Sequence, residues 1–261
     1  MSTLAYTLTD SATMLRRNLR HVLRYPVTLF VAAIPIIFLL LFVFVFGETM
    51  GAGLGGVAGG RSEYASYVTP GILLMTVAGG AQGTAISVAM DMTEGIIARF
   101  RTMAIARSSV LTGHVVGSVI QTMLAVVAVV GVALLVGFRP SASPMEWLAA
   151  AGLLTLITFA VTWLSVALAL TAKTVEAASN LPMPLMLLPF LGSGFVPTES
   201  MPGAIRWFAE YQPFTPMMET LRGLLLGAPI GNAGVLAVAW GVGIMAVGYF
   251  WARARYARPA R

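Results

Sequence analysis

Cysteine is absent from this 261-residue sequence, which removes disulfides, thiolate metal sites and cysteine nucleophiles together. Lysine occurs once, at Lys173 behind Ala172, so the Gly-Lys-Ser/Thr ending of a phosphate-binding P-loop cannot be assembled. Any ATP-driven role must therefore use a motor on another chain. Histidine occurs only at His21 and His114, without a ligand-spaced carboxylate near either. Packing or interfacial roles account for both, and no metal-ligating set and no catalytic residues are expected. Charge is scarce: acids and bases make up 10% of residues, where a soluble domain carries about a quarter.

What is present is apolar. Hydrophobic residues are 58% of the chain and the mean hydropathy is +0.86, which belongs to the membrane class. The net charge of +6 would suit nucleic acid only as a basic patch on a soluble fold. Here the arginines punctuate hydrophobic blocks, so nucleic acid is not an expected partner and the lipid bilayer is. A crossing helix needs about 20 mostly apolar residues. Residues 26–46, 64–90, 111–138, 147–172 and 233–251 qualify. Residues 177–196 are also free of charge, but Pro182, Pro184 and Pro189 would kink or thin that helix. The expected fold is all-α and integral to the membrane, with six spans over 26–261.

Cationic residues accumulate on the cytoplasmic side of membranes. With the N-terminus inside, Arg16, Arg17, Arg20, Arg24, Arg99, Arg101, Arg107, Lys173, Arg253, Arg255, Arg258 and Arg261 are cytoplasmic. Only Arg61, Arg139, Arg206 and Arg222 are outside, a ratio of twelve to four. Both termini are thus expected in the cytoplasm of a multi-pass plasma-membrane protein. The arginine- and alanine-rich, lysine-poor usage hints at a GC-rich bacterium. No cleavable signal peptide is expected, since the first apolar run starts at Pro26 and is too long for an h-region. Over residues 1–25, Leu4, Leu8, Ala12, Leu15, Leu19 and Val22 line one helical face, flanked by Arg16, Arg17, Arg20 and Arg24. That pattern predicts an amphipathic helix lying on the inner membrane surface, either as a plain anchor or as a contact for a partner.

Several motifs resolve to packing. Gly51-Ala-Gly53-Leu-Gly55-Gly56 matches GxGxxG in letters, but a span precedes it where a dinucleotide site needs a strand; 47–60 reads as a flexible outer loop. Gly79-x-x-x-Gly83 and Gly113-x-x-x-Gly117 predict close helix approach. No span carries an acid or base at its centre, which disfavours proton coupling. Gln82, Gln121 and Asn180 remain as polar span residues, so sodium sites built from backbone oxygens stay open.

Between spans five and six, residues 197–231 are too apolar for an ordinary loop. Pro202-Gly203 can open a helix over 204–210, and Thr215 as N-cap with Pro216 behind it suits a second over 216–226. Glu219 and Arg222 could pair on its polar face. Two such helices suggest a re-entrant or interface-lying lid, or a passive cover. Between spans two and three, DMTEGIIARFRTMAIAR (91–107) reads as a short amphipathic helix on the inner surface. Asp91 would be its N-cap, with Glu94 completing a capping-box-like pair. By chemistry alone this segment is equally a positive-inside anchor or a partner surface.

The order of motifs resembles a known family, the membrane subunits of type-2 ABC exporters, and within it the daunorubicin-resistance permease group. RHVLRYPVTLFVAAIPIIFLLLFVFVFG is similar to the family's first span and SYVTPGILLMTV to its second-span entry. DMTEGIIARFRTMAIARSSVLTG resembles its cytoplasmic GI-DRFRSLP-AR-AVL-G segment, and FVPTESMPGAIRWFAEYQPFT with LRGLLLG resembles its outer segment. The resemblance implies that 91–107 is a coupling helix, with Asp91, Glu94, Arg99, Phe100, Arg101 and Arg107 meeting a separate ABC ATPase subunit. It implies two ATPase copies per complex, ATP and Mg bound there and not here, and a second permease, identical or paralogous. Pro197, Pro202, Arg206, Glu210, Pro213, Glu219 and Arg222 would belong to an outer gate. Spans one and five would meet near the pathway, which makes Phe38, Phe42, Phe190 and Phe195 candidate wall residues for amphipathic drugs, antibiotics or lipids. Ala98 in place of an acid and Met103-Ala104 in place of Leu-Pro depart from the pattern, and should alter how the docking fits. An ion-gradient carrier or channel, and a non-transporting scaffold, are the alternatives from other classes. Neither the cargo nor the identity of the second permease is legible.

Overall fold

A computed structural model describes residues 27–55, 60–93 and 107–256, which form helices joined by turns and short irregular links, with no strand among the described residues. The N-terminal amphipathic helix and most of the coupling segment lie outside the described residues. Helix α1 (Val27–Leu41) contains Pro35 and passes through one π-helical turn (Phe42–Phe46) into α2 (Gly47–Gly55). The outer loop expected from Gly47 onward is thus helical as far as Gly55. Its glycines serve contact instead: a Cβ on Gly51 would fall 2.3 Å from the carbonyl oxygen of Gly60, and Glu48 pairs with Arg61 at 2.9 Å.

Helix α3 (Arg61–Thr93) is the mast of the fold and packs against α1, α2 and every helix from α4 to α7, as well as α9. Its most apolar stretch is 72% buried, against 17% for the last helix, most of whose surface is left uncovered by the rest of the chain. Helix α4 (Arg107–Val136) stops at Gly137, whose φ of 125° is glycine's own territory and whose carbonyl accepts from the Ser62 hydroxyl at 2.6 Å. Helix α5 (Pro144–Ala169) starts before Trp147 because Ser143 and Glu146 form a complete capping box ahead of Pro144.

The fifth apolar block is not one long helix. Thr174 caps α6 (Val175–Asn180), Pro182 precedes α7 (Met183–Leu187), and turns run from there to Phe195. Pro182, Pro184 and Pro189 each remove a donor and crowd the preceding turn, so the continuous ladder cannot form. Accordingly five helices, not six, are long and apolar enough to cross a membrane among the described residues. After a 3-10 turn (Thr198–Ser200) come α8 (Gly203–Tyr211) and α9 (Phe214–Leu226), then α10 (Ala233–Tyr256). Both expected lid helices exist, but α9 begins at Phe214 after Pro213, and Thr215 is inside it. Its hydroxyl donates to the Ala209 carbonyl oxygen instead of capping.

Two apolar clusters divide the interior. One joins Leu39, Val43, Ile72, Val129, Ile157, Phe195, Met218 and their neighbours at the distal end, where α2, α8 and α9 lie. The other joins Val88, Leu111, Val115, Trp163, Val166, Ala252 and Tyr256 at the proximal end, next to residues 94–106. Helix α10 seats on α5 through glycine: a Cβ on Gly248 would lie 2.5 Å from the Leu164 nitrogen.

Candidate functional site: a clamped break and an aromatic ladder

Backbone that leaves the helix inside an apolar setting exposes carbonyls that water cannot reach, and these must find donors in the protein. The broken segment finds them on both neighbours. At its start, Gln82 Nε2 of α3 donates to the Ser179 carbonyl at 2.9 Å. At its end, the Ser193 carbonyl accepts from the Tyr67 hydroxyl at 2.9 Å and from Arg222 Nη2 at 2.7 Å. From Gln82 to Tyr67 is about 22 Å along α3 at 1.5 Å per residue, so the segment runs antiparallel to α3 over most of its length. In the middle, Gln212 Nε2 donates to the Leu188 carbonyl at 3.3 Å and to Thr215 Oγ1 at 3.0 Å, while its Oε1 accepts from the Phe214 nitrogen at 3.0 Å.

Arg222 is the hub. Its Cζ sits 4.1 Å above the centre of the Tyr67 ring, and Nη2 also reaches the Tyr67 carbonyl at 3.5 Å. Its buried Nε has no hydrogen-bond partner. The expected pair with Glu219 is not formed, because the guanidinium is turned toward Tyr67 and Ser193. Burial pushes the Glu219 carboxyl above its ordinary range, with Arg222 opposing, and burial likewise lowers the Arg222 guanidinium. Glycines let the backbones close: a Cβ on Gly71 would meet Gly194 Cα at 3.0 Å, one on Gly194 would meet Met218 Sδ at 2.8 Å, and one on Gly192 would meet Gln212 Nε2 at 2.4 Å.

Below the clamp, Phe38, Phe42, Phe190 and Phe195 come together, as expected from the resemblance. Phe190 and Phe195 stack at 4.6 Å with an 8° tilt, Phe42 meets Phe195 at 4.7 Å, and Phe38 meets Phe190 at 5.7 Å and Phe42 at 6.2 Å. Phe42 opens the π-turn and continues the ladder to Phe46 at 5.7 Å. The extra residue in such a turn rotates the following side chains, and π-turns recur at functional sites.

The other expected gate residues are placed as punctuation. Pro197, Pro202 and Pro213 precede the 3-10 turn, α8 and α9, while Arg206 and Glu210 pair one helical turn apart at 2.7 Å on the exposed side of α8. At the proximal end, the helix that Asp91 was expected to cap lies outside the described residues, and Asp91 itself belongs to α3. It lies in the last turn of α3, buried, with Oδ2 at 3.0 Å from His114 Nε2 of α4. Arg107 opens α4, whereas Glu94, Arg99, Phe100, Arg101, Arg16, Arg17, Arg20 and Arg24 lie outside the described residues.

Sequence reasoning missed Tyr67 and Ser193 as partners, and dismissed His114. Tyr67 and Gln212 stood inside matched motifs, but only the fold reveals what they touch. The small-residue reading on α3 was off by one position: Gly79 and Gly83 face open space, and Gly80 makes the close approach, a Cβ there falling 2.1 Å from Thr122 Oγ1.

A polytopic helical fold with a broken, clamped segment and no nucleotide motif has the form of a transport subunit. The chain belongs to the ABC-2 type transporter family, which it matches over residues 10–226. Within that family it falls in the daunorubicin-resistance permease group. It is 29% identical over 244 residues, 90% of its length and 81% of the relative's, to the daunorubicin resistance ABC transporter permease protein DrrB1 of Streptomyces coeruleorubidus. To the probable doxorubicin resistance ABC transporter permease protein DrrC of Mycobacterium tuberculosis it is 25% identical over 181 residues, covering 69% of this chain and 65% of that one. It is thus a multi-pass permease of the plasma membrane.

Proposed function

We propose that this chain is the membrane subunit of an exporter that moves an amphipathic drug, antibiotic or lipid outward, driven by a separate ATPase. Two ATPase copies supply ATP and Mg, and a second permease, identical or paralogous, completes the pathway. Residues 91–107 dock on the ATPase, helped by the N-terminal helix, and both termini are cytoplasmic, so the distal end is the outer one. The broken segment counts as the sixth crossing. The names of the relatives support the cargo class. The observation that carries the reading is the break itself, an apolar stretch of short helices and turns tied by Tyr67 to α3 and by Arg222 to the outer helix α9. In the closed state the clamp seals the outer end; on ATP-driven rocking the Arg222–Ser193 contact parts and cargo leaves past the phenylalanine ladder.

The experiment is purification from native membrane followed by reconstitution, with doxorubicin and a fluorescent phospholipid as test cargos. An ATPase should copurify, and cargo should move only with ATP. Transport by the lone chain on an ion gradient would sink the proposal. That outcome is the second reading, a gradient-driven carrier, which the discontinuous segment beside Gln82 and Asn180 favours, because such breaks can offer carbonyls to a cation. An inactivating mutation in the ATPase separates the two, abolishing transport only for the exporter.

A further inference from the structure

Residues 94–106 connect α3, which ends at Thr93, to α4, which begins at Arg107, so on the exporter reading a displacement of this segment is passed to these two arms. Polar or close contacts tie the arms along their length, among them a long one from the Ser118 hydroxyl to the Gly80 carbonyl at 3.5 Å. Gly80 lies against Thr122, the Thr84 hydroxyl is hydrogen-bonded to that of Ser118, and Asp91 meets His114 at 3.0 Å. Around the last two, Ala85, Val88, Leu111, Val115 and Val119 share one apolar cluster. The upper ties are small side chains in van der Waals or neutral hydrogen-bond contact, which allow helices to slide and turn against each other. The last tie is different. It is directional, joins a carboxyl to an imidazole, and is buried, with side-chain exposures of 7% for His114 and 12% for Asp91. Apolar residues would fill that space at less desolvation cost, so such a pair is better explained by the register it fixes than by stability.

We propose that Asp91 and His114 are positioning residues for energy coupling: the pair locks the two arms that carry residues 94–106, so that motion of this segment reaches the Gly80–Thr122 level as one rigid movement. This rests on the exporter reading above. It gives Asp91 a role through His114 within the bundle, at the root of the docking segment.

The test uses the full permease–ATPase complex in vesicles with the same two cargos, and reads ATP hydrolysed per cargo moved alongside the yield of assembled complex. Asp91→Asn and His114→Gln, each close to the original shape, should raise ATP per cargo about fivefold or more, the low end of typical coupling effects, at unchanged yield. The reciprocal exchange, Asp91→His with His114→Asp, should recover at least half of the loss. Single variants with the wild-type ratio overturn the proposal, as does an assembled exchange variant that recovers nothing.

A second measurement covers the case in which the single variants do not fold. Because the chain has no cysteine, Thr84→Cys with Ser118→Cys can bridge the same arms covalently in an otherwise native protein. Arms that already move as one should keep their ATP-per-cargo ratio when bridged. Loss of transport on oxidation, restored by reduction, would mean that the arms must slide, and would overturn the proposal. A wild-type complex that binds no ATPase and moves neither cargo on ATP overturns the exporter reading instead.

Discussion

The two ends of the bundle solve opposite problems. At the distal end the backbone itself is irregular, and a cation, a phenol and an amide are spent on carbonyl oxygens: Arg222 and Tyr67 on Ser193, Gln212 on Leu188. At the proximal end α3 and α4 are regular helices, and the tie is between side chains, Asp91 to His114. Irregular backbone can part from its donors and return to them; two regular helices joined by a buried pair move together. On the proposed function, the distal end is the part that would open and the proximal end the part that would transmit.

The largest effect should come from Arg222→Met, which keeps length and packing but removes the charged donor from Ser193. A hydrogen bond to a charged group contributes about 1.5–3 kcal/mol, and the loss should appear as earlier unfolding in detergent. An unchanged midpoint would mean that the clamp holds nothing. Next comes a matched pair of glycine substitutions. Gly71→Ala drives a Cβ against the backbone of Gly194 at 3.0 Å, with no flexible side chain to yield, and should cost about 1–3 kcal/mol. Gly79→Ala, facing open space, should be neutral or stabilise by up to about 1 kcal/mol through helix propensity. Equal effects of the two would contradict the close approach. Tyr67→Phe removes only the hydroxyl donor, leaves the ring under Arg222, and should cost about 1 kcal/mol in the same assay. Smallest of all is Glu210→Gln: its pair with Arg206 is exposed, 46% for the arginine and 39% for the glutamate, and its loss should leave the midpoint almost unchanged. A larger loss there would move the clamp onto α8.

Much of this was legible from pattern. Long apolar blocks marked the five continuous helices, and Pro202-Gly203 placed α8 to within a residue at each end. The three prolines between 177 and 196 announced trouble, but not that the helix would give way to turns. The helical run from Gly47 to Gly55 was hidden because glycine's low helix propensity argues for a loop; a tight tertiary approach to Gly60 overrides it. The site divides similarly. Four phenylalanines were named in advance and do meet, since aromatics on two touching segments have few other places to go. Arg222 was named for the right region with the wrong partner: helical spacing offered Glu219, and only the fold could bring in a carbonyl from Ser193. Asp91 and His114 could not be paired from sequence, because the segment between them hides that both belong to facing helices.

The most direct test of the account loads one vesicle preparation with doxorubicin and measures two quantities in it: leak without ATP, and ATP consumed per molecule moved. Arg222→Met should leak without ATP and still couple hydrolysis to transport, whereas Asp91→Asn should stay sealed and waste ATP. If both variants leak alike, or both waste ATP alike, the division between an opening end and a transmitting end is wrong.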